Sequence, residues 1–154
     1  MLDRQYMLGG DLLVAPIFNK EGNATYYLPE GTWTNMLTEK VVRGERWIRE
    51  TYDFMSLPLM ARPGSVIPVG ACCDKPDYDY LDGVTLHAYE MTDGMVRTVK
   101  IPDLHGNIAA TFVVSCENGK IAVKTDSCKP YHLAVHENGT ITEKNNLLYD
   151  TTLE

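Results

Sequence analysis

The sequence predicts an all-β protein made of two small, consecutive antiparallel β-sandwich domains, and three observations carry that prediction. Glycine and proline punctuate the 154 residues often, with 12 Gly and 8 Pro, and the segments between them are short and rich in Val, Ile, Thr, Tyr and Trp. Asn-Gly or Asp-Gly pairs sit between runs of alternating polarity, the signal of a two-residue hairpin. No stretch repeats its apolar residues every 3.6 positions, which argues against helices.

Taken in order, GGDLLVAPIF places Leu12, Leu13, Val14, Ala15, Ile17 and Phe18 in an apolar run broken only by Pro16. Such a run reads as a strand buried on both faces. A loop from Asn19 to Asn23, the strand ATYYLP, a turn at Glu30-Gly31 and the strand TWTNML follow. The polar stretch EKVVRGERWIRE and the apolar SLPLMARPGSVIPVG complete the first half. ACCDKPDYDY breaks both the apolar pattern and the strand rhythm, so the domain boundary is expected near residues 70 to 80, giving domains of 1–72 and 73–154. In the second half three hairpins are expected. TFVVSCENGKIAVKT turns at Asn118-Gly119, with Phe112, Val114 and Cys116 facing Ile121 and Val123. VTLHAYEMTDGMVRTVKI turns at Asp93-Gly94, and YHLAVHENGTITEK at Asn138-Gly139.

Charge and composition narrow the function. A formal charge of -7, with 14 Lys plus Arg against 21 Asp plus Glu and no basic run, disfavours nucleic acid as a partner, because phosphates must be met by positive charge. No apolar segment approaches the roughly 18 residues that span a bilayer, and no export signal precedes the first strand. Cys72, Cys73, Cys116 and Cys128 lack zinc spacing and are expected to be ordinary thiols, which with the missing export signal places the protein in the cytoplasm. The patterns Asn23-Ala24-Thr25 and Asn138-Gly139-Thr140 match glycosylation sequons but read here as polar turns.

Three co-linear stretches, DRQYMLGGDLLVAPIF, YYLPEGTWTNMLTEK and FMSLPLMARPGSVIPVG, resemble in order and spacing the segment that follows the catalytic barrel in glycoside hydrolase family 31. The resemblance covers residues 4 to 70. The remainder, with PDYDYLDGVTLHAYEMTDG, resembles the distal C-terminal domain of the α-xylosidase branch. The resemblance implies a (β/α)8 barrel that carries the chemistry and is followed by a proximal and a distal β-sandwich, of which this chain is the latter two. Asp3 to Gly10 are then expected to be the tail of a linker from that barrel, and Met1 an introduced start. Two departures from the family pattern stand out: Gly10 occupies a position that is usually polar or acidic, and the glycine that commonly falls between the equivalents of Thr38 and Glu39 is missing.

The resemblance further implies a parent enzyme that hydrolyses α-linked xylose or glucose with retention and without a cofactor or metal. Its partners would be the missing domains of the same polypeptide, its α-xyloside or α-glucoside substrate and, in one alternative, further copies of itself. Retaining hydrolysis needs two carboxylates about 5 to 5.5 Å apart; the resemblance puts both on the barrel, so no catalytic, cofactor-binding or metal residue is assigned in this chain. An independent site would have to come from other side chains. Asp74, Asp77, Asp79 and Asp82 lack the glycine and terminal glutamate of a calcium loop and read as a solvated loop. His132 and His136, four apart on a strand, would sit about 13 Å from each other. Ser115, Ser127 and Cys128 have no identifiable base and carboxylate around them. Trp33 and Trp47 are expected to pack in the core or against the barrel, while Tyr78, Tyr80 and Tyr89 are the better candidates for a sugar-stacking platform. The expected role is structural support of the barrel. The alternatives are a carbohydrate-binding distal module, or an oligomer contact through an exposed apolar patch in residues 84 to 124.

Overall fold

A computed structural model describes residues 4–153. The positions Met1 and Asp3, and with them the start of the expected linker, lie outside the described residues, as does Glu154. The described residues contain no helix and form strands throughout, as the punctuated sequence predicts. The chain separates into two compact units, residues 1–63 and 64–154.

Unit 1 contains β1 (Tyr6–Leu8), β2 (Leu12–Val14), β3 (Asn23–Leu28), β4 (Thr32–Asn35), β5 (Val41–Arg43), β6 (Arg46–Thr51) and β7 (Leu59–Ala61). Five of these make a sheet in the order β1-β2-β7-β4-β5, and β3 pairs with β6 as a separate ribbon. Sheet and ribbon enclose one core. Leu13, Ala15, Trp33, Val42 and Met60 meet Ala24, Tyr26, Leu28 and Ile48 there. The ribbon follows the period of two that a half-buried strand requires: Ala24, Tyr26 and Leu28 point inward, and Tyr27 opposes Trp47 on the outer face. The opening strand is shorter and less buried than the apolar run suggests. It ends at Val14, and Phe18 is 79% exposed, because Pro16 has no N–H with which to extend a ladder.

Unit 2 contains β8 (Ser65–Val69), β9 (Thr85–Tyr89), β10 (Val96–Pro102), β11 (Ile108–Glu117), β12 (Lys120–Thr125), β13 (Tyr131–Glu137), β14 (Thr140–Leu147) and β15 (Thr151–Leu153). One sheet runs β10-β11-β12-β15 and the other β14-β13-β9-β8. Val66, Leu86, Ala88, Leu133 and Val135 of the second sheet pack on Ile101, Phe112, Val114, Ile121 and Val123 of the first. That face-to-face burial is a sandwich. Nearly all pairings are antiparallel; β9 and β13 are parallel, aligned from Thr85 opposite His132 to Tyr89 opposite His136.

Two of the three expected hairpins are present as read. Asn118 and Gly119 have φ of 52° and 73°, Asn138 and Gly139 have 49° and 80°, and the closing pairs are Glu117 with Lys120 and Glu137 with Thr140. Asp93-Gly94 is different. It does turn the chain, with Met95 N–H donating to the Thr92 carbonyl at 3.1 Å, but β9 pairs with β8 and β13 while β10 pairs with β11. The turn therefore passes the chain from one sheet to the other. The long alternation of residues 108–117 offers β10 a better partner than the short β9, and Asp103 closes that hairpin by accepting the N–H groups of His105 and Asn107 at 2.8 Å.

The stretch expected to hold the domain boundary runs between two paired strands. β8 is bonded to β9 along its length, from Ser65 opposite Tyr89 to Val69 opposite Thr85, so ACCDKPDYDY connects two neighbouring strands of one sheet. The compact units divide between Pro63 and Gly64.

Candidate functional site

The loop between β8 and β9 holds the acidic cluster and two of the thiols. Some of its polar groups have partners within unit 2. Cys72 donates its thiol to Asp74 at 2.8 Å, and Asp79 accepts the Leu81 N–H at 3.0 Å and forms an ion pair with Lys129. Lys129 and the loop N–H groups hold the Asp79 carboxyl below its ordinary range. Among the described residues no group of three or more His, Cys, Asp or Glu side chains is arranged to hold a metal. Tyr78 and Tyr80 meet edge to face at 5.0 Å between ring centres, and Tyr80 donates to the Pro76 carbonyl at 3.1 Å. Two rings at 87° offer a sugar no common flat face.

Tyr89 is not on the surface at all. It is buried in unit 2 and stacks on His136 at 4.3 Å, because the parallel register sets Tyr89 directly opposite His136. His87 completes the group, with its Nδ1 2.9 Å from His136 Nε2. Burial and the neighbouring His87 push His136 down to about 4, so the His136 imidazole is neutral near pH 7. His132 lies on the same strand but separately, with Nδ1 2.8 Å from Asn145 Oδ1. This arrangement escapes sequence reading, since His87 and His136 lie on strands joined only by a long-range parallel pairing. Of the remaining candidates, Ser127 folds back on its own loop, donating to the Lys129 carbonyl at 2.7 Å. Ser115 is a ladder residue opposite Val96 and Ala122, and the Cys128 thiol is free and exposed.

Trp33 and Trp47 part company. Trp33 is buried, donates its indole N–H to the Pro29 carbonyl at 3.0 Å and lies under the Arg62 guanidinium, 5.7 Å from the ring centre. Trp47 is 54% exposed, on the outside of the ribbon, with the Tyr27 ring 5.6 Å away.

The most distinctive surface is at the loops of unit 1. Residues 15–22 and 52–58 run side by side, tied by Ala15 N–H to the Pro58 carbonyl at 3.0 Å and Tyr52 N–H to the Gly22 carbonyl at 2.9 Å. Gly22 has φ of 72°, and a Cβ there would lie 2.1 Å from the Tyr52 carbonyl oxygen, so the close approach needs glycine. Between the loops lies a concavity of about 630 Å³ that includes Pro16, Ile17, Tyr52, Phe54 and Leu57. Phe54 is 99% exposed and Met55 82% exposed. An apolar pair so fully in solvent is uncommon on a surface that has no partner. The loop is nonetheless built rigidly, since Asp53 Oδ1 accepts both the Met55 N–H at 3.0 Å and the Ser56 hydroxyl at 2.6 Å.

Beneath these loops a polar knot anchors β6 to the core. The buried Tyr26 hydroxyl lies 3.3 Å from both Glu50 Oε2 and the Tyr52 hydroxyl, Tyr52 donates to Glu50 at 2.7 Å, and Lys40 pairs with the other Glu50 oxygen. Burial by itself would raise the Glu50 carboxyl, but Lys40 and the two hydroxyls outweigh it and hold it low. Burial and the Glu50 charge push the Tyr26 phenol well up and that of Tyr52 up to about 12. The knot thus keeps one carboxylate charged and two phenols neutral over the physiological range.

Comparison with known proteins also finds two parts, with the break between residues 67 and 79. Residues 1–67 match the glycosyl hydrolase family 31 C-terminal domain, and residues 79–151 match the C-terminal domain described for α-xylosidase YicI. An α-xylosidase XylQ of Lactiplantibacillus pentosus is 40% identical over 124 residues, covering 79% of this chain and 16% of that protein. An α-xylosidase of Emericella nidulans is 43% identical over 93 residues, 55% of this chain and 12% of that one. The chain therefore spans less than a fifth of the length of these relatives. Among solved structures, the cycloalternan-forming enzyme from Listeria monocytogenes superposes with a TM-score of 0.72 at 29% identity, over 87% of this chain and 14% of that one. The family 31 α-xylosidase of Xanthomonas citri shares the fold at a TM-score of 0.69 and 18% identity, over 97% of this chain and 19% of that one.

Proposed function

The chain belongs to glycoside hydrolase family 31 as two of its C-terminal domains, and from that premise we propose that it is the non-catalytic support of a retaining α-xylosidase or α-glucosidase. In this reading unit 1 seats the catalytic barrel of the same polypeptide, and unit 2 braces the assembly. The observation that carries it is the rigid loop pair with Phe54, Met55 and Phe18 in solvent: such a surface suits a partner domain that removes it from water. The two matched α-xylosidases favour the xylose-directed branch. A reducing, cytoplasmic setting agrees with the four free thiols.

Two measurements test the proposal. The isolated chain, given aryl α-xyloside and α-glucoside, is expected to release aglycone at the buffer rate; saturable turnover would overturn the non-catalytic reading. In the full-length polypeptide Phe54→Ser is expected to lower the thermal midpoint of the barrel, and an unchanged midpoint would remove the seating role. Titration of the isolated chain with xyloglucan oligosaccharide, followed by amide NMR, separates the alternative. Shifts confined to residues 78–125 would make unit 2 a carbohydrate-binding module. The oligomer alternative has less support, since the exposed apolar residues Val96, Leu104 and Ile108 are divided between opposite ends of β10 and β11.

A further inference from the structure

The two Asn-Gly hairpin tips of unit 2 form a natural controlled pair. Both turns join two residues in the left-handed region, with φ of 52° and 73° at Asn118-Gly119 and of 49° and 80° at Asn138-Gly139, and all four residues are exposed. An acidic side chain reaches each tip from the neighbouring loop. Asp93 Oδ1 accepts the N–H of the glycine, Gly119, at 2.7 Å. Glu90 Oε1 accepts the N–H of the asparagine, Asn138, at 2.8 Å.

That difference bears directly on a known reactivity of the Asn-Gly pair. The backbone nitrogen of the glycine, once deprotonated, attacks the Cγ of the preceding asparagine side chain. A C–N bond forms, the side-chain amide leaves as ammonia, and a five-membered succinimide results. Water then opens the ring at either carbonyl, leaving aspartate or isoaspartate. To reach Cγ, the Asn-Gly peptide must rotate about the asparagine Cα–C bond. At Asn118 that rotation pulls the Gly119 N–H off Asp93, and the carboxylate also opposes loss of the very proton that must leave. At Asn138 the same rotation leaves the Asn138 N–H on Glu90 undisturbed, because that nitrogen lies on the other side of the rotating bond.

We propose that Asn138 is a site of spontaneous deamidation and that Asn118, in the same turn, is protected by Asp93. The modification adds a carboxylate beside Glu137 and Glu90, at the end of the seam where the Glu90 N–H bonds the His136 carbonyl at 2.8 Å. Glu90 already titrates above its ordinary range through burial and the nearby Glu137, so a third negative charge there weakens the tip of β13 and β14.

The test is peptide mapping by mass spectrometry of the whole chain, incubated in mildly alkaline buffer both folded and in urea. In the folded chain Asn138 is expected to convert roughly tenfold faster than Asn118, the factor that one charge-assisted hydrogen bond supplies. In urea the two rates converge, since the local chemistry of the pairs is the same. Asp93→Ala is expected to raise the rate at Asn118 toward that at Asn138 without altering the latter. Equal rates in the folded chain, a faster Asn118, or a ratio that persists in urea would overturn the proposal. The comparison of folded and unfolded wild-type protein decides it even where Asp93→Ala fails to fold.

Discussion

The two units solve the same problem, burying the inner faces of short strands, with different means. Unit 2 does it by length and alternation: β11 runs ten residues, and Phe112, Val114 and Cys116 stack against Ile121 and Val123 across the hairpin and against Leu86 and Leu133 across the sandwich. Its core is almost wholly apolar. Unit 1 has strands of three to six residues, and beside its smaller core it uses a polar knot of Tyr26, Glu50, Tyr52 and Lys40. It also leaves Phe54 and Met55 in water. The difference teaches that long alternating strands can fill a core with apolar side chains alone, whereas short ones supplement theirs with hydrogen-bonded polar groups.

The sharpest way to break that comparison is to hollow the apolar core. Phe112→Ala is expected to cost about 3 to 5 kcal/mol of unfolding free energy in unit 2, read from urea denaturation by circular dichroism. A loss below about 1 kcal/mol would mean that this core is loosely packed after all.

The next effect concerns acid. His136 is held at about 4 in the folded protein, below its ordinary 6.5, so the unfolded chain binds a proton that the folded chain refuses between these values. Stability from this group is complete above about 6.5 and is lost as the pH falls toward 4. The urea midpoint of unit 2 should fall over that window, and His136→Gln should flatten the dependence. A wild-type midpoint that stays level would show that His87 and Tyr89 do not constrain the imidazole.

A smaller effect is expected from the knot. Glu50→Ala removes the acceptor of two phenols and the partner of Lys40, at a cost of about 1 to 2 kcal/mol. Fluorescence reads it in unit 1, because both tryptophans, Trp33 and Trp47, lie there. No change would make the knot ornamental and unit 1 as dependent on apolar packing as unit 2. The smallest effect belongs to the loop surface. In the isolated chain Phe54→Ser should alter stability by no more than about 0.5 kcal/mol, since a side chain already in water loses nothing when shortened. A larger loss would place Phe54 in the core economy of unit 1.

Much of this molecule is local, and what is local was legible. Asn-Gly at 118 and 138 demands two successive left-handed residues, a backbone that only a tight hairpin uses, so both turns follow from the residues alone. Alternation set which faces of β11 and β12 are buried. The missing glycine near Glu39 was legible as a departure, and the backbone there takes φ of 59° at Glu39, a conformation glycine adopts more easily.

What the residues could not determine is which strand lies beside which. Asp93-Gly94 has the hairpin signature, yet it joins two sheets, because pairing is decided by competition among all strands and β10 gains more from β11 than from β9. ACCDKPDYDY has the composition of a linker, yet it spans a gap between bonded neighbours β8 and β9. Tyr89 left its expected place on the surface, buried by a parallel partner more than forty residues away in sequence, and Trp47 lies outside its ribbon rather than in the core. The sequence by itself determined where the chain turns and which side of each strand is apolar, since both depend on backbone dihedrals and on a period of two. Only the tertiary structure decided strand neighbours, the His87–His136–Tyr89 stack and which N–H each acidic side chain holds, because those rest on contacts between residues that nothing local brings together.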